Sequence, residues 1–301
     1  MSSMTNLPIP NFHRQRFLLA FLGLTGGRLS KMDFQKLLFL SQQEAGCSHY
    51  DFVPYRYGCY SFQVQSDIEL LESRGWLKTV GNEIQLLGKS AVGIRHNDLA
   101  TASHFAKKYK NYRGVKLVRY VYEHYPYYAI HSKMAKGILD NHFYKAVIQT
   151  GGKLKSGEKQ LFTVGYEGLS FEKYINRLIC HDVRLLCDVR NNPLSRKFGF
   201  SKGMLAHFLP KFGIEYIHIP ELGIVSENRN NLESKSDYMR LFGSYRKSLP
   251  QKKESLKRLG EIFDQHKRIA LTCFEKQHDS CHRHCISEYM EGVMGIEAIH
   301  L

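Results

Sequence analysis

The 301-residue sequence predicts an α/β domain, a mainly parallel sheet flanked by helices, in its second half, preceded by a winged helix-turn-helix-like α+β domain. Three observations carry this. Over residues 161–301, apolar runs of strand length alternate with helical patterns, as in a parallel sheet covered by helices. Residues 12–87 give three amphipathic helical patterns and then two strand patterns about a tight turn, the order of a winged helix. Between the halves, Gln149 to Lys159 is polar, glycine-bearing and without apolar periodicity. The predicted organisation is therefore a basic domain with a helical extension at 1–150, a linker at 151–160 and the α/β domain at 161–301.

In the first half, Phe12, Phe17, Leu18, Phe21 and Leu22 recur at three-to-four spacing and predict a helix over 12–24. Phe34, Leu37, Leu38 and Leu40 predict a second over 30–45, separated from the first by Gly26-Gly27. A third runs from Ser61 to Arg74 and stops at Gly75. Trp76 to Val80 and Glu83 to Leu87 flank Gly81-Asn82 as two strands and a turn. The third helix carries Asp67, Glu69 and Glu72 with Arg74 as its only basic residue, which suits a protein partner better than phosphates. The stretches Lys36 to Leu40, Tyr50 to Gly58 and Asp67 to Leu77 resemble the Panacea or SocA-like antitoxin-associated domain over residues 12–90, and the resemblance implies a partner-binding role. Members often carry Gly-Pro where this chain has Gly58-Cys59.

The formal charge is +15, unequally shared: residues 1–155 hold 21 Lys/Arg against 10 Asp/Glu, residues 156–301 hold 22 against 18. That excess makes DNA the leading partner, ahead of an anionic membrane surface, against the plainer alternative of a generally basic protein. The candidate nucleic-acid patch is Lys107, Lys108, Lys110, Arg113, Lys116 and Arg119, interleaved with Tyr109, Tyr112, Tyr120, Tyr122, Tyr125, Tyr127 and Tyr128. Two readings stand side by side: phosphate contacts with tyrosines that stack on bases, or a solvated helical face over packed tyrosines. No run of about eighteen apolar residues and no secretory pattern occurs, so a soluble cytoplasmic protein is expected. Seven scattered cysteines point to reduced thiols rather than a disulfide framework.

In the second half the expected strands are Leu161 to Val164, Val183 to Val189, Ile214 to Ile219 and Arg268 to Cys273. Ligands of parallel sheets bind beyond the carboxyl ends of the strands. Those ends carry Tyr166 and Glu167, Asp188 and Arg190, Glu221, and Cys273 with Glu275, so one cleft is expected to gather them. Ser195, Arg196 and Arg229 on the following loops add anion-binding groups. A helix is expected to begin near Ser280 or Cys281, with Cys281, His282 and Arg283 forming one wall of an anion pocket. A zinc site drawing on Cys273, Cys281, His278 or His282, and Cys285 is one alternative, and a nucleophilic thiolate is another.

The ordered set Val164-Gly165-Tyr166-Glu167-Gly168, Asp188-Val189-Arg190 with Pro193, Ser195-Arg196, Phe200-Ser201-Lys202, Tyr216, Glu221-Leu222-Gly223, Cys273-x-Glu275 and Cys281-His282-Arg283 resembles domain-of-unknown-function family 488 through residues 161–290. The resemblance implies a shared site and leaves its activity open.

Carboxylates among arginines suit a phosphorylated substrate. The leading expectation is a DNA-associated hydrolase acting on a base, sugar or phosphodiester, with Asp188, Glu275 and Glu167 as catalytic carboxylates. Tyr166, Arg190, Ser195, Arg196, Tyr216, Arg229, Cys281, His282 and Arg283 would bind substrate, and Tyr166, Phe198, Phe200 and Tyr216 would stack on an extruded base. A glycosylase-like mechanism needs no cofactor, whereas a nuclease would hold magnesium at Asp188 and Glu275. The alternatives are a ligand-responsive DNA-binding regulator and an antitoxin-like interaction protein.

Overall fold

The structure, a computed structural model, describes residues 7–46, 48–88, 93–225 and 234–301. The chain divides into two units, Met1–Gly152 and Lys153–Leu301.

In the first unit, α1 (His13–Leu24) is followed by β1 (Arg28–Ser30) and α2 (Lys31–Ala45). The Ser30 hydroxyl accepts from the Asp33 amide and so starts α2 directly after the strand. A short hairpin, β2 (Val53–Tyr55) and β3 (Gly58–Tyr60), leads to α3 (Phe62–Ser73), capped in the same way by Ser61. Then come β4 (Leu77–Val80) and β5 (Glu83–Leu86) about the expected Gly81-Asn82 turn. β1 pairs antiparallel with β5, giving the sheet order β1-β5-β4. The sequence reading missed β1 and the β2–β3 hairpin, each only three residues per strand and too short for alternation to show.

The rest of this unit is α4 (His96–Lys108), α5 (Gly114–His124), α6 (Ala135–Ile138) and α7 (Asn141–Lys153). Because α7 runs to Lys153, the polar seam expected from Gln149 is helical in its first part. The core gathers Phe17, Phe21, Phe34, Phe39, Leu71, Phe105, Val121 and Tyr122.

The second unit opens with β6 (Gln160–Gly165), α8 (Phe171–Cys180) and β7 (Leu185–Asp188). It continues through α9 (Lys202–Phe208), β8 (Glu215–His218), α10 (Lys235–Ser248), α11 (Lys253–His266), β9 (Arg268–Cys273), α12 (Arg283–Met294) and β10 (Ile299–His300). All pairings are parallel, in the order β10-β6-β9-β7-β8. All four expected strands are present, and two-residue β10 adds an edge with no sequence signal of its own. β9 is buried at every position, as expected of a central parallel strand. α8 buries Phe171, Tyr174, Ile175, Leu178 and Ile179, a stripe at helical spacing. Leu185, Cys187, Ile269 and Leu271 join Leu259, Phe263, Ile286 and Met290 in one core cluster.

Register places the functional edge. Gly165 pairs with Cys273 and Asp188 with Thr272, so β6, β7 and β9 end within one residue of one another. Side chains alternate along a strand, which puts Cys273 on the face opposite Asp188 and Thr272.

Candidate functional site

Beyond these strand ends lies a cavity of about 320 Å³. Its polar lining is Arg190, Asn191, Asn192, Ser195 and Cys273; Tyr166, Leu194, Ile224 and Phe274 supply apolar surface. Glycines permit its construction. A Cβ on Gly165 would lie 1.9 Å from the Glu275 carbonyl oxygen, and one on Gly223 would lie 2.2 Å from the Asn191 amide nitrogen. Only glycine lets these loops close over the strand ends.

One wall is a saturated lattice. Asp188 is fully buried; its Oδ1 accepts from the Arg190 amide (3.1 Å) and Nε (2.8 Å), its Oδ2 from Arg190 Nη2 (2.5 Å) and the Tyr216 hydroxyl (2.8 Å). Arg190 Nη1 donates to the Tyr166 hydroxyl (2.8 Å) and the Phe200 carbonyl (2.9 Å). Burial alone would favour loss of the Arg190 proton, but the paired Asp188 carboxylate outweighs it and keeps the guanidinium charged. Burial, reinforced by Asp188, raises the Tyr216 phenol and keeps it a donor. Asp188 thus fixes Arg190 in the wall and has no lone pair directed at a substrate.

The aromatic residues expected to hold a base are largely engaged with one another. Tyr166 and Phe200 stack at 4.3 Å with their rings 10° apart, and Phe200 is fully buried. Phe198 packs edge-on against Phe171. Of the aromatic residues that line the cavity, Tyr166 is buried and Phe274 is 45% exposed.

Opposite Asp188 is a thiol–imidazole cluster. Cys273, Cys281 and His282 are each at most 1% exposed. His282 Nδ1 lies 3.7 Å from Cys273 Sγ and 3.8 Å from Cys281 Sγ, and its Nε2 lies 2.9 Å from the Val189 carbonyl oxygen. Glu275 Oε2 is 3.3 Å from Cys273 Sγ. Arg283 holds the Glu275 loop, donating to the carbonyls of Glu275 (2.6 Å) and Lys276 (3.0 Å). Burial pushes the Cys281 thiol well up, with Cys273 and Glu275 adding to it. Cys281 is therefore a poor nucleophile at neutral pH.

Residues 170–290 match the family model Domain of unknown function DUF488. The match begins at the Ser170 cap of α8 and runs through most of α12. No curated protein and no solved structure matches the chain. The DUF488 region contains Asp188, Arg190, Ser195, Arg196, Tyr216, Glu275, Cys273, Cys281, His282 and Arg283, while Tyr166 and Glu167 precede it.

The expected site residues separate. Arg190, Ser195 and Cys273 line the cavity with Tyr166, and Asp188 and Tyr216 stand behind Arg190. Glu167 is exposed and accepts from the Lys276 amide at 2.9 Å, so it ties two loops together. Arg196 is exposed on its loop, Glu221 lines a separate depression beside α11, and Arg229 lies outside the described residues. Cys285 sits 3.4 Å from His284 Nε2, apart from the cluster, and His278 stacks on His300. The helix starts at Arg283, not at Ser280 or Cys281, so Cys281 and His282 belong to the turn before it. The sequence reading gave no role to Asn191, Asn192, Leu194, Ile224 or Phe274; the Asn-Asn-Pro run after a buried strand was the available signal.

The basic patch of the first unit divides too. Lys108 Nζ lies 2.7 Å from Glu44, which also accepts from the Tyr109 and Tyr120 hydroxyls. Arg113 donates to the carbonyls of Tyr109, Tyr112 and Thr25. Arg119 lies 3.9 Å from Asp140. Lys107, Lys110 and Lys116 are exposed, whereas Tyr109 and Tyr122 are buried and thus unable to stack on a base.

This unit also holds a cavity of about 570 Å³ lined by Gln35, Lys36, Tyr55, Tyr57, Cys59 and Tyr60 among others. Burial lowers the Lys36 amine, whose Nζ donates to the Tyr57 carbonyl at 2.6 Å, and pushes the Cys59 thiol up to about 12.

Proposed function

We propose that the chain is a DNA-associated hydrolase whose second unit acts on a base, sugar or phosphodiester in the cavity at the carboxyl edge of the parallel sheet. The observation that carries this reading is the composition of that cavity. Arg190 is fixed by Asp188, Asn191, Asn192 and Ser195 offer donors and acceptors for a base or sugar edge, and Phe274 offers an open ring face. Glu275, partly exposed and 3.3 Å from the cavity-lining Cys273, is the carboxylate assigned to the chemistry in this reading. Asp188 becomes a positioning residue and Glu167 a loop tie.

In this reading the first unit is a winged helix that brings DNA near. The support is its order of elements: β1, α2 and α3 precede a β4–β5 hairpin, and β1 closes the sheet. Lys107, Lys110, Lys116 and Arg119 would supply phosphate contacts. A partner-binding role for the same unit is the second reading, favoured by its cavity, because Lys36, Tyr55, Tyr57 and Gly58 of that lining lie in the stretch that resembles antitoxin-associated domains.

Fluorescence anisotropy with oligonucleotides carrying abasic, uracil and alkylated positions tests the assignment. The wild type is expected to prefer at least one of these over unmodified DNA, and an Asn191→Ala/Asn192→Ala variant to lose the preference while keeping salt-sensitive general binding. Equal preference in both proteins would remove the cavity from recognition; failure of the wild type to bind any DNA at low salt would remove DNA.

A further inference from the structure

The three donor atoms of Cys273, Cys281 and His282 lie within 4.8 Å of one another. Zinc bound tetrahedrally at about 2.3 Å to sulfur and about 2.0–2.1 Å to nitrogen or oxygen holds its ligands roughly 3.5–3.8 Å apart. The 3.7 and 3.8 Å separations from His282 Nδ1 to the two sulfurs meet that spacing, and Glu275 Oε2 lies 3.3 Å from Cys273 Sγ alongside the group.

The imidazole is oriented for coordination. A carbonyl oxygen can only accept, so the 2.9 Å contact with Val189 places the ring proton on Nε2. A neutral ring then turns the Nδ1 lone pair toward both sulfurs, the arrangement by which a backbone carbonyl fixes a metal-bound histidine. The backbone beside the cluster is held as well. Arg283 binds the carbonyls of Glu275 and Lys276, and Gly165 lets that loop approach β6.

We propose that Cys273, Cys281 and His282 bind a zinc ion whose fourth position is open to water, with the Glu275 carboxylate next to Cys273. Two sulfurs and an imidazole select zinc over magnesium or calcium, which take oxygen ligands. Binding converts both thiols to thiolates and releases their two protons to solvent. Two thiolates around a dication leave no net charge, with the Glu275 carboxylate and Arg283 beside the site. Cys273 lines the cavity, so this would be a two-cysteine, one-histidine zinc with an open position and an adjacent carboxylate. That donor set serves hydrolytic attack on nucleobases elsewhere. The site stands apart from the nucleic-acid reading, because its metal is measured with no substrate present.

The test is metal analysis of the full chain, purified without an affinity tag or chelator from zinc-supplemented cells. One zinc per chain is expected, falling to background in Cys273→Ser and in Cys281→Ser and unchanged in Cys180→Ser, an exposed residue away from the site. Should the serine variants fail to fold, cobalt replaces zinc in the wild type, where intense thiolate-to-cobalt charge-transfer absorption is expected. Wild-type protein without zinc, zinc retained in both serine variants, absence of the cobalt band, or a Cys273–Cys281 disulfide in the fresh metal-free protein would each overturn the proposal.

Discussion

Each unit buries an aspartate in nearly the same cage. In the first, Asp67 on α3 accepts from Arg14 Nε (2.7 Å), Gln15 Nε2 (2.8 Å) and the Tyr50 hydroxyl (3.0 Å). In the second, Asp188 at the end of β7 accepts from Arg190 and the Tyr216 hydroxyl. The chemistry matches and the settings differ. Asp67 ties α3 to α1, and none of its partners lines the first unit's cavity, whereas Arg190 forms a wall of the second unit's cavity beside a thiol–imidazole cluster. A buried arginine–aspartate pair therefore does not mark a site; a strand end, a cavity and a second polar cluster together do.

The largest expected effect separates the two cages. Asp188→Ala leaves the Arg190 guanidinium, 6% exposed, without its counter-ion and is expected to cost about 3–5 kcal/mol. Asp67→Ala is expected to cost less, about 1–3 kcal/mol, because the Arg14 side chain is 30% exposed and reaches water. Urea unfolding followed by circular dichroism measures both, and the single tryptophan, Trp76, reports the first unit selectively. Equal costs would break the contrast.

Next comes a pair of glycines on the cavity loop. Gly165→Ala forces the Glu275 backbone away and is expected to cost about 1–3 kcal/mol together with ligand affinity. Gly168→Ala, at φ +74° in open space, is expected to cost about 1–2 kcal/mol and leave affinity unchanged. Affinity lost equally in both would mean that Gly165 acts only through stability.

Acid sensitivity is expected from both units. Burial would raise the carboxyls of Glu44 and Asp182, but hydrogen bonds outweigh it and lower both: Lys108 and Tyr109 on Glu44, the Ser156 amide, Lys155 and Arg184 on Asp182. A depressed folded value means that this stabilisation is present above the ordinary carboxyl range near pH 4 and lost as pH falls through the folded values. Asp182, 2% exposed in its side chain, is expected to dominate, so Asp182→Asn should flatten the acid limb of stability more than Glu44→Gln. The smallest effect belongs to the basic face: Lys107→Ala/Lys110→Ala/Lys116→Ala is expected to lower the salt slope of DNA binding by about 0.9 for each phosphate that is no longer neutralised.

Much of this was legible in sequence because parallel strands buried on both faces announce themselves, as Arg268 to Cys273 does, and because their ends carry Asp188-Val189-Arg190 and Cys273-x-Glu275. The state of each group was not. That Asp188 is saturated depends on Tyr216, brought in by the β7–β8 register, and on Arg190 folding back two residues. His282 rather than Cys285 joins Cys273 because α12 starts at Arg283 and carries Cys285 one turn on, against His284. Tyr166 and Phe200 read as base-stacking groups until the fold stacked them on each other.

We propose that the protein acts on nucleic acid in the cavity beside Cys273 and Glu275. Mass spectrometry of modified oligonucleotides incubated with wild-type and Glu275→Gln protein tests it most directly. Base loss, base conversion or strand cleavage by the wild type, absent in Glu275→Gln at unchanged DNA affinity, is the expected result; identical product from both proteins, or none from the wild type on any oligonucleotide it binds, would contradict it.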